Sequence, residues 1–287
     1  MALSVVQAVS LGNSGTAGAT SVAPTISPVT VGHLVVCCVT GVSASSTITL
    51  SMTDSSAQTW ASGVTAEGHD SLGVEHHDWV APRDGRRVGQ PNYLTTTIFY
   101  KLSSAAITTV TAKSAATCGL ACTFFEIGGT DTSPVDVTAF APATPLTAKN
   151  TAPTLTAGSA TAQASEIAIG VIGTLSSTTG ETIGSVTTGW NAETGRTGEL
   201  SSTYWASQFA FYQILSSTAT LTLGGTLGIA AYWSVAIMTF KSPAVAGGNP
   251  IVMLNSKRVG DLWAPVRKLW KPERRIFVPQ LVAARAA

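Results

Sequence analysis

Phe99-Tyr100-Lys101-Leu102-Ser103-Ser104 and Phe211-Tyr212-Gln213-Ile214-Leu215-Ser216-Ser217 are two versions of one phrase in a chain of 287 residues. What surrounds them recurs in the same order. In the first half a strand beginning at Leu34 is followed by Ile48 to Trp60. The phrase, an alternating Thr-rich strand and Ala121-Cys122-Thr123-Phe124-Phe125 come next. In the second half a strand beginning at Ile167 is followed by Ile183 to Trp190, the phrase, an alternating Thr-rich strand and Val235-Ala236-Ile237-Met238-Thr239-Phe240. Trp60 and Tyr100 are 40 residues apart and Trp190 and Tyr212 are 22 apart, which assigns an 18-residue insertion to the first half. Thr-rich β sequences resemble one another by composition alone, so it is the shared order that argues for two corresponding halves. They predict either one pseudo-symmetric sandwich or two small stacked ones.

Outward from the phrase, the periodicity is that of strands. Leu34-Val35-Val36-Cys37-Cys38-Val39 is apolar without interruption up to Gly41, which predicts a strand covered on both faces. Ile48 to Thr53, Ile107 to Ala112 and Thr218 to Leu223 alternate with period two. Turn-forming Gly, Ser, Asp, Asn and Thr separate these runs at short intervals, and no body window longer than ten residues has a 3.6 period with caps. The expected fold is all-β: an antiparallel β-sandwich of jelly-roll type over residues 1–241, with pseudo-repeated halves of about 1–127 and 157–241. The Pro-bearing stretch from Gly128 to Thr156 is the connection between the halves, and an extended C-terminal arm covers residues 242–287.

Composition sets the boundaries of this reading. Hydrophobic residues make up 45% of the chain, enough for a real core, while charged residues make up only 11%. Ser and Thr replace charge, which suits strands with Thr on their outward faces. Met1-Ala2-Leu3-Ser4 lacks the basic start and sustained apolar stretch of a secretory leader, and no apolar run reaches membrane-spanning length. The greasy stretch Ile229 to Phe240 is expected as a buried strand. Cys37, Cys38, Cys118 and Cys122 do not have zinc-site spacing and are expected as buried free thiols, as in a reducing cytoplasm, with a cross-strand disulfide as the alternative.

The ordered pieces resemble a known family. They are Gly32-His33-Leu34-Val35-Val36; Thr53-Asp54-Ser55-Ser56-Ala57-Gln58-Thr59-Trp60; Phe99-Tyr100-Lys101; and Phe125-Glu126-Ile127-Gly128-Gly129 with Thr130 to Asp136. Ser165-Glu166-Ile167-Ala168 and Ala236-Ile237-Met238-Thr239-Phe240-Lys241 close the set. Over residues 30–241 the chain is similar to jelly-roll modules of bacteriophage virion proteins and of some bacterial surface proteins. That resemblance implies a structural or adhesive module and supplies no catalytic residue.

Candidate sites in the body are few. The segment Gly63 to Asn92 holds three of the four histidines, His69, His76 and His77, among mixed charges. Imidazoles and carboxylates can ligate zinc, but no helix brings these onto one face, so a partner-contacting loop that exposes Trp79 is preferred to a metal site. Glu126, Asp131 and Asp136 follow a strand and could form an acid/base pair or a calcium site. Turn formation by Asp131 and Asp136 around Ser133-Pro134 is the preferred reading. His33 is expected as a packed or edge residue. No nucleophile-elbow, zincin or phosphate-loop motif occurs, so no catalytic residue, metal or cofactor is assigned. Phe209 and Phe211 should share one strand face, with Tyr212 on the other. Tyr204-Trp205 is the best candidate for an exposed pair that meets a glycan or a subunit.

The charge distribution points to assembly. Residues 1–241 carry eight Lys/Arg against thirteen Asp/Glu, net −5, and residues 242–287 carry eight against two, net +6. Pro250, Pro265, Pro272 and Pro279 exclude one long helix from the basic segment. Neither a long basic run for nucleic acid nor an uninterrupted amphipathic helix for a membrane is present. Extended docking on neighbouring subunits fits best, with Trp263, Trp270 and Phe277 as anchors and Arg267, Lys268, Arg274 and Arg275 as charges. The expectation is therefore a non-enzymatic structural protein of a bacteriophage particle, assembled in the host cytoplasm among other virion proteins and copies of itself. A minor tail or tail-tip/fibre component comes first and a head decoration protein second. A carbohydrate-binding adhesin module that meets host-surface glycans is the competing class.

Overall fold

A computed structural model describes residues 2–13, 18–43, 48–69, 93–141, 149–176, 181–201 and 204–243. The described residues form strands, turns and extended segments without a helix, and all strand pairing is antiparallel. The chain divides into two units, Met1–Ala244 and Val245–Ala287, and every described residue belongs to the first. Trp79 and the arm residues Trp263, Arg267, Lys268, Trp270, Arg274, Arg275 and Phe277 lie outside the described residues.

The first sheet is built on β3 (Leu34–Ser43), the uninterrupted apolar run. It pairs on one side with β6 (Tyr93–Leu102), which carries the first phrase, and on the other with β7 (Val110–Gly128). β1 (Ser4–Gly12) extends the sheet beyond β7, and β5 (Ala61–His69) extends it beyond β6, giving the order β1-β7-β3-β6-β5. The early part of β7 leaves this sheet and pairs with β2 (Ala19–Val22) and β4 (Leu50–Asp54). Sequence periodicity divides this stretch into two strands; in the structure one continuous strand of 19 residues serves both layers. β5 also revises the expected loop, because Val64 to His69 is strand paired with β6.

The second sheet is built on β10 (Glu166–Ser176), flanked by β14 (Tyr204–Leu215), which carries the second phrase, and β17 (Tyr232–Lys241). β8 (Val135–Ala141) lies beyond β17, while β12 (Asn191–Ala192) and β13 (Arg196–Ser201) pair with β14. Two small ladders complete the strands: β9 (Thr154–Ala160) with β15 (Thr220–Gly224), and β11 (Ile183–Gly184) with β16 (Thr226–Leu227). Ile229 lies outside β17 and is 41% exposed, so the buried strand is shorter than its apolar run.

The two large sheets stack face to face, a β-sandwich-like all-β fold. Between them Leu34, Val36, Cys38, Ile98, Phe125 and Ile127 meet Ile167, Ile169, Val171, Ala236, Met238 and Phe240. On the outer face of the first sheet Val35, Cys37, Val39 and Phe124 pack with Ile48, Trp60 and Ile107. On the outer face of the second, Phe209, Phe211, Val235 and Ile237 pack with Leu155, Leu221 and Leu223. β3 and β10 thus bury both faces, which is why their sequences do not alternate.

Part of the seam between the sheets is polar. The Gln208 side chain accepts from the Thr123 hydroxyl at 2.9 Å and donates to the Ala121 carbonyl at 3.3 Å, and the Ser234 hydroxyl donates to Thr96 Oγ1 at 2.7 Å. Thr40, Thr96, Thr123, Gln208 and Ser234 are all buried. The expectation that Thr lies on outward faces holds only in part, because these hydroxyls satisfy one another between the sheets. The sheets close in on each other where β13 crosses β1 and β7. Asn13 donates to the Glu199 carbonyl at 2.7 Å and accepts from the Leu120 amide at 2.7 Å. A Cβ on Gly198 would lie 2.5 Å from the Leu120 carbonyl carbon, so only glycine fits there.

Candidate functional site at the end of the last strand

The place where the chain passes from β17 towards its basic segment is tied down by hydrogen bonds from three directions. The Lys241 amide donates to the Pro134 carbonyl at 2.6 Å, and the Asp131 amide donates to the Lys241 carbonyl at 2.9 Å. The Ser242 amide donates to the Ser165 carbonyl at 3.0 Å. Gln163 Nε2 reaches the Ser165 carbonyl at 2.8 Å, the Ser242 carbonyl at 3.1 Å and Ser242 Oγ at 3.3 Å. Ser242, expected as the first residue of the arm, is buried and belongs structurally to the body.

Local sequence explains the two holding segments. Gly129 takes φ 78°, and a Cβ there would run into the Ala2 backbone. Asp131 Oδ1 then accepts from the Ser133 amide at 2.8 Å and from the Thr132 hydroxyl at 3.3 Å, the side-chain turn expected around Ser133-Pro134. Thr132, Ser133, Pro134 and Val135 form one wall of a pocket of 340 Å³, and Tyr100 and Leu102 form the other. The second holding segment, between β9 and β10, presents consecutive amides to two carboxylates. Ala162 N donates to Asp136 Oδ2 at 2.6 Å, and Gln163 N donates to Glu166 Oε1 at 3.3 Å. Glu166 is fully buried, and burial, helped by the neighbouring Asp136, raises its pKa against the opposing effect of the Thr239 hydroxyl.

Two further ionic groups sit on the first sheet. Glu126, 1% exposed, receives the His33 ring at 2.7 Å, the Gln7 amide at 2.6 Å and the Thr30 backbone amide at 2.9 Å. Burial opposes its charge, but those donors outweigh burial and hold the carboxyl below its usual range. Asp54 is enclosed by the Lys101 ammonium, the Trp60 indole at 2.6 Å and the Ser56 amide at 2.7 Å. Lys101 also reaches Ser56 Oγ at 3.1 Å and lies 5.4 Å from the Trp60 ring centre. Here too burial is outweighed, by Lys101 first, and the pKa is lowered.

These placements sort the residues singled out from sequence. Glu126, Asp131 and Asp136 have separate partners and do not act as a set; only Asp131 makes the expected turn, because Asp136 lies on β8 and its carboxylate is taken by the distant Ala162 amide. His33 is more than a packed residue, because it closes the Glu126 site. Phe209 and Phe211 face the outer core while Tyr212 faces the inner one, as expected. The exposed Tyr204-Trp205 pair requires correction. Trp205 is 8% exposed, and Tyr204 is half-buried against Val42, Leu94, Leu175 and Ala206, because β14 lies in the sheet interior with β13 over its edge. All four cysteines are buried free thiols. The Cys122 thiol and then burial raise Cys37, and burial raises Cys38 and Cys118, which makes them poor nucleophiles.

Sequence reasoning did not find the His33–Glu126 pair, the Asp54–Lys101 pair or the position of Glu166. A signal was present in each: Lys101, Glu126 and Glu166 are charges set against apolar neighbours on buried strands, and such charges require partners. Among the described residues, no three His, Cys, Asp or Glu side chains gather as a metal site, and no helix is long and apolar enough to cross a membrane. No family model, curated protein or solved structure matches the chain.

Proposed function

We propose that the chain is a non-enzymatic structural protein of a bacteriophage particle, a minor tail or tail-tip/fibre component, in which a jelly-roll body is docked by its basic C-terminal segment. The observation that carries this reading is the combination of charge and anchorage. A net +6 segment leaves a net −5 body at Lys241-Ser242, a point fixed by the hydrogen bonds from Asp131, Pro134, Gln163 and Ser165. A segment launched from a fixed point keeps less of its freedom to lose on docking, and its Trp263, Trp270 and Phe277 supply apolar anchors.

The jelly-roll part of the proposal rests on nested pairing. A jelly roll is a long antiparallel hairpin rolled up, so its first strand pairs with its last, its second with its seventh and its third with its sixth. β1 with late β7, β2 with early β7 and β3 with β6 follow that scheme. So do β8 with β17, β9 with β15 and β10 with β14, which favours two duplicated rolls facing each other. A head decoration role uses the same architecture and the same segment. The adhesin reading keeps only Trp79 and the half-buried Tyr204 as contacts.

The test is incorporation. Gradient-purified particles from a host that makes the full chain should contain it, and particles from a host that makes residues 1–243 should not. Equal incorporation of the shortened chain would refute docking by the segment. Absence of both from particles would refute the virion assignment.

A further inference from the structure

We propose that Asp136 and Glu166, with neutral oxygens around them, form a binding site for a hard divalent cation such as Ca²⁺ at the root of the C-terminal segment. The consecutive amides of Ala162 and Gln163 hold the two carboxylates side by side, one each. Glu166 Oε2 is buried with no hydrogen-bond partner, on a residue that is itself 0% exposed. An ionised oxygen in that position is expensive unless a cation meets it.

The first sheet shows what a completed site of this layout contains. There Leu34 pairs with Ile127, His33 precedes Leu34, and the Thr30 amide, three residues earlier, binds the carboxylate of Glu126. In the second sheet Ile167 pairs with Phe240, Glu166 precedes Ile167, and the Gln163 amide, three residues earlier, binds its carboxylate. Glu126 is closed by the chain's own imidazole and by the Gln7 amide. At the corresponding corner Glu166 takes the imidazole position, Thr239 takes the place of Glu126, and the Gln7 edge supplies Asp136, so the corner holds two carboxylates and lacks the imidazole donor.

Charged groups around Glu166 come from three strands: Asp136 on β8, Glu166 itself on β10, and Lys241, its cross-strand partner on β17. No ion pair joins Lys241 to Glu166 among the described residues. Neutral oxygens are at hand on Thr239 and Ser242, whose hydroxyls accept from the Val137 amide and from Gln163. The donor set is all oxygen, which selects Ca²⁺-like ions over zinc.

The experiment is calorimetric titration of the full chain with CaCl₂ at neutral pH, with Tb³⁺ luminescence as a second readout. One saturable site is expected, weakened at least tenfold by Glu166→Gln and by Asp136→Asn in variants whose circular dichroism matches the parent. Absence of saturable binding to the parent up to about 5 mM, beyond the range of weak calcium modules, would overturn the proposal and leave the pair as a proton-sharing clasp. Unchanged binding in both variants would overturn it equally.

Discussion

Replacing Lys101 by Met should destabilise the folded chain by about 3 kcal/mol, because it strands a carboxylate that the fold has already dehydrated. The Asp54 and Lys101 side chains are 0% and 5% exposed, so this is a buried pair, for which loss of one partner costs about 3–5 kcal/mol. The lower end applies to Lys101→Met, since Asp54 keeps the Ser56 amide and the Trp60 indole as donors, each about 1.5–3 kcal/mol to a charged acceptor. Asp54→Asn should cost more, about 4 kcal/mol, because the buried ammonium loses its countercharge and is left with neutral oxygens, Ser56 Oγ among them, and the Trp60 face, the latter worth about 1 kcal/mol. The double variant should lose less than the two singles together, with a coupling of about 3 kcal/mol. Urea denaturation of the four proteins, followed by Trp fluorescence and circular dichroism, measures all of these. A Lys101→Met loss below about 1 kcal/mol, the range of an exposed pair, or strict additivity, would refute the buried-pair reasoning. The pH dependence gives a second check. The folded pKa of Asp54 is depressed, so its stabilisation is complete above the ordinary carboxylate value of about 4 and is lost as pH falls through the folded value. Lys101→Met should flatten that acid limb.

Two other perturbations test the sheet contacts. Gly198→Ala places a methyl group against the Leu120 backbone, which cannot rotate away, so a loss near the upper end of the overpacking range, about 3 kcal/mol, is expected in thermal or urea unfolding. A neutral result would mean that the two sheets do not approach so closely at β13. Glu126→Gln removes the charged acceptor of His33, Gln7 and Thr30 and should cost about 1–3 kcal/mol at pH 7. Since burial of Glu126 is outweighed and its pKa is lowered, that loss should shrink below about pH 4; a loss independent of pH would contradict the assignment.

How far the sequence can be read depends on which signals are local. The uninterrupted run from Leu34 to Val39 announces a strand with both faces covered, and its residues do alternate between two cores. Phe99-Tyr100 lies on β6 beside β3, and Phe211-Tyr212 lies on β14 beside β10. Alternating Thr, by contrast, reads the same whether the hydroxyls face water or a second sheet that carries hydroxyls, so the Thr40–Thr96–Gln208 seam is hidden. The pairing of His33 with Glu126 joins residues 93 apart in the chain, a separation at which no periodicity speaks. Trp205 reads as exposed because its neighbours are polar, yet its burial is decided by β13, a strand too short and too polar to stand out in the sequence.

If the basic segment docks on acidic copies of the body, charge screening should control whether the chain associates. Sedimentation velocity of the full chain and of residues 1–243, at low and at high salt, measures this. The full chain should self-associate at low salt and dissociate as screening rises, while the shortened chain stays folded by circular dichroism and monomeric throughout. A full chain that remains monomeric at low salt, or a shortened chain that associates equally well, would contradict docking by the segment.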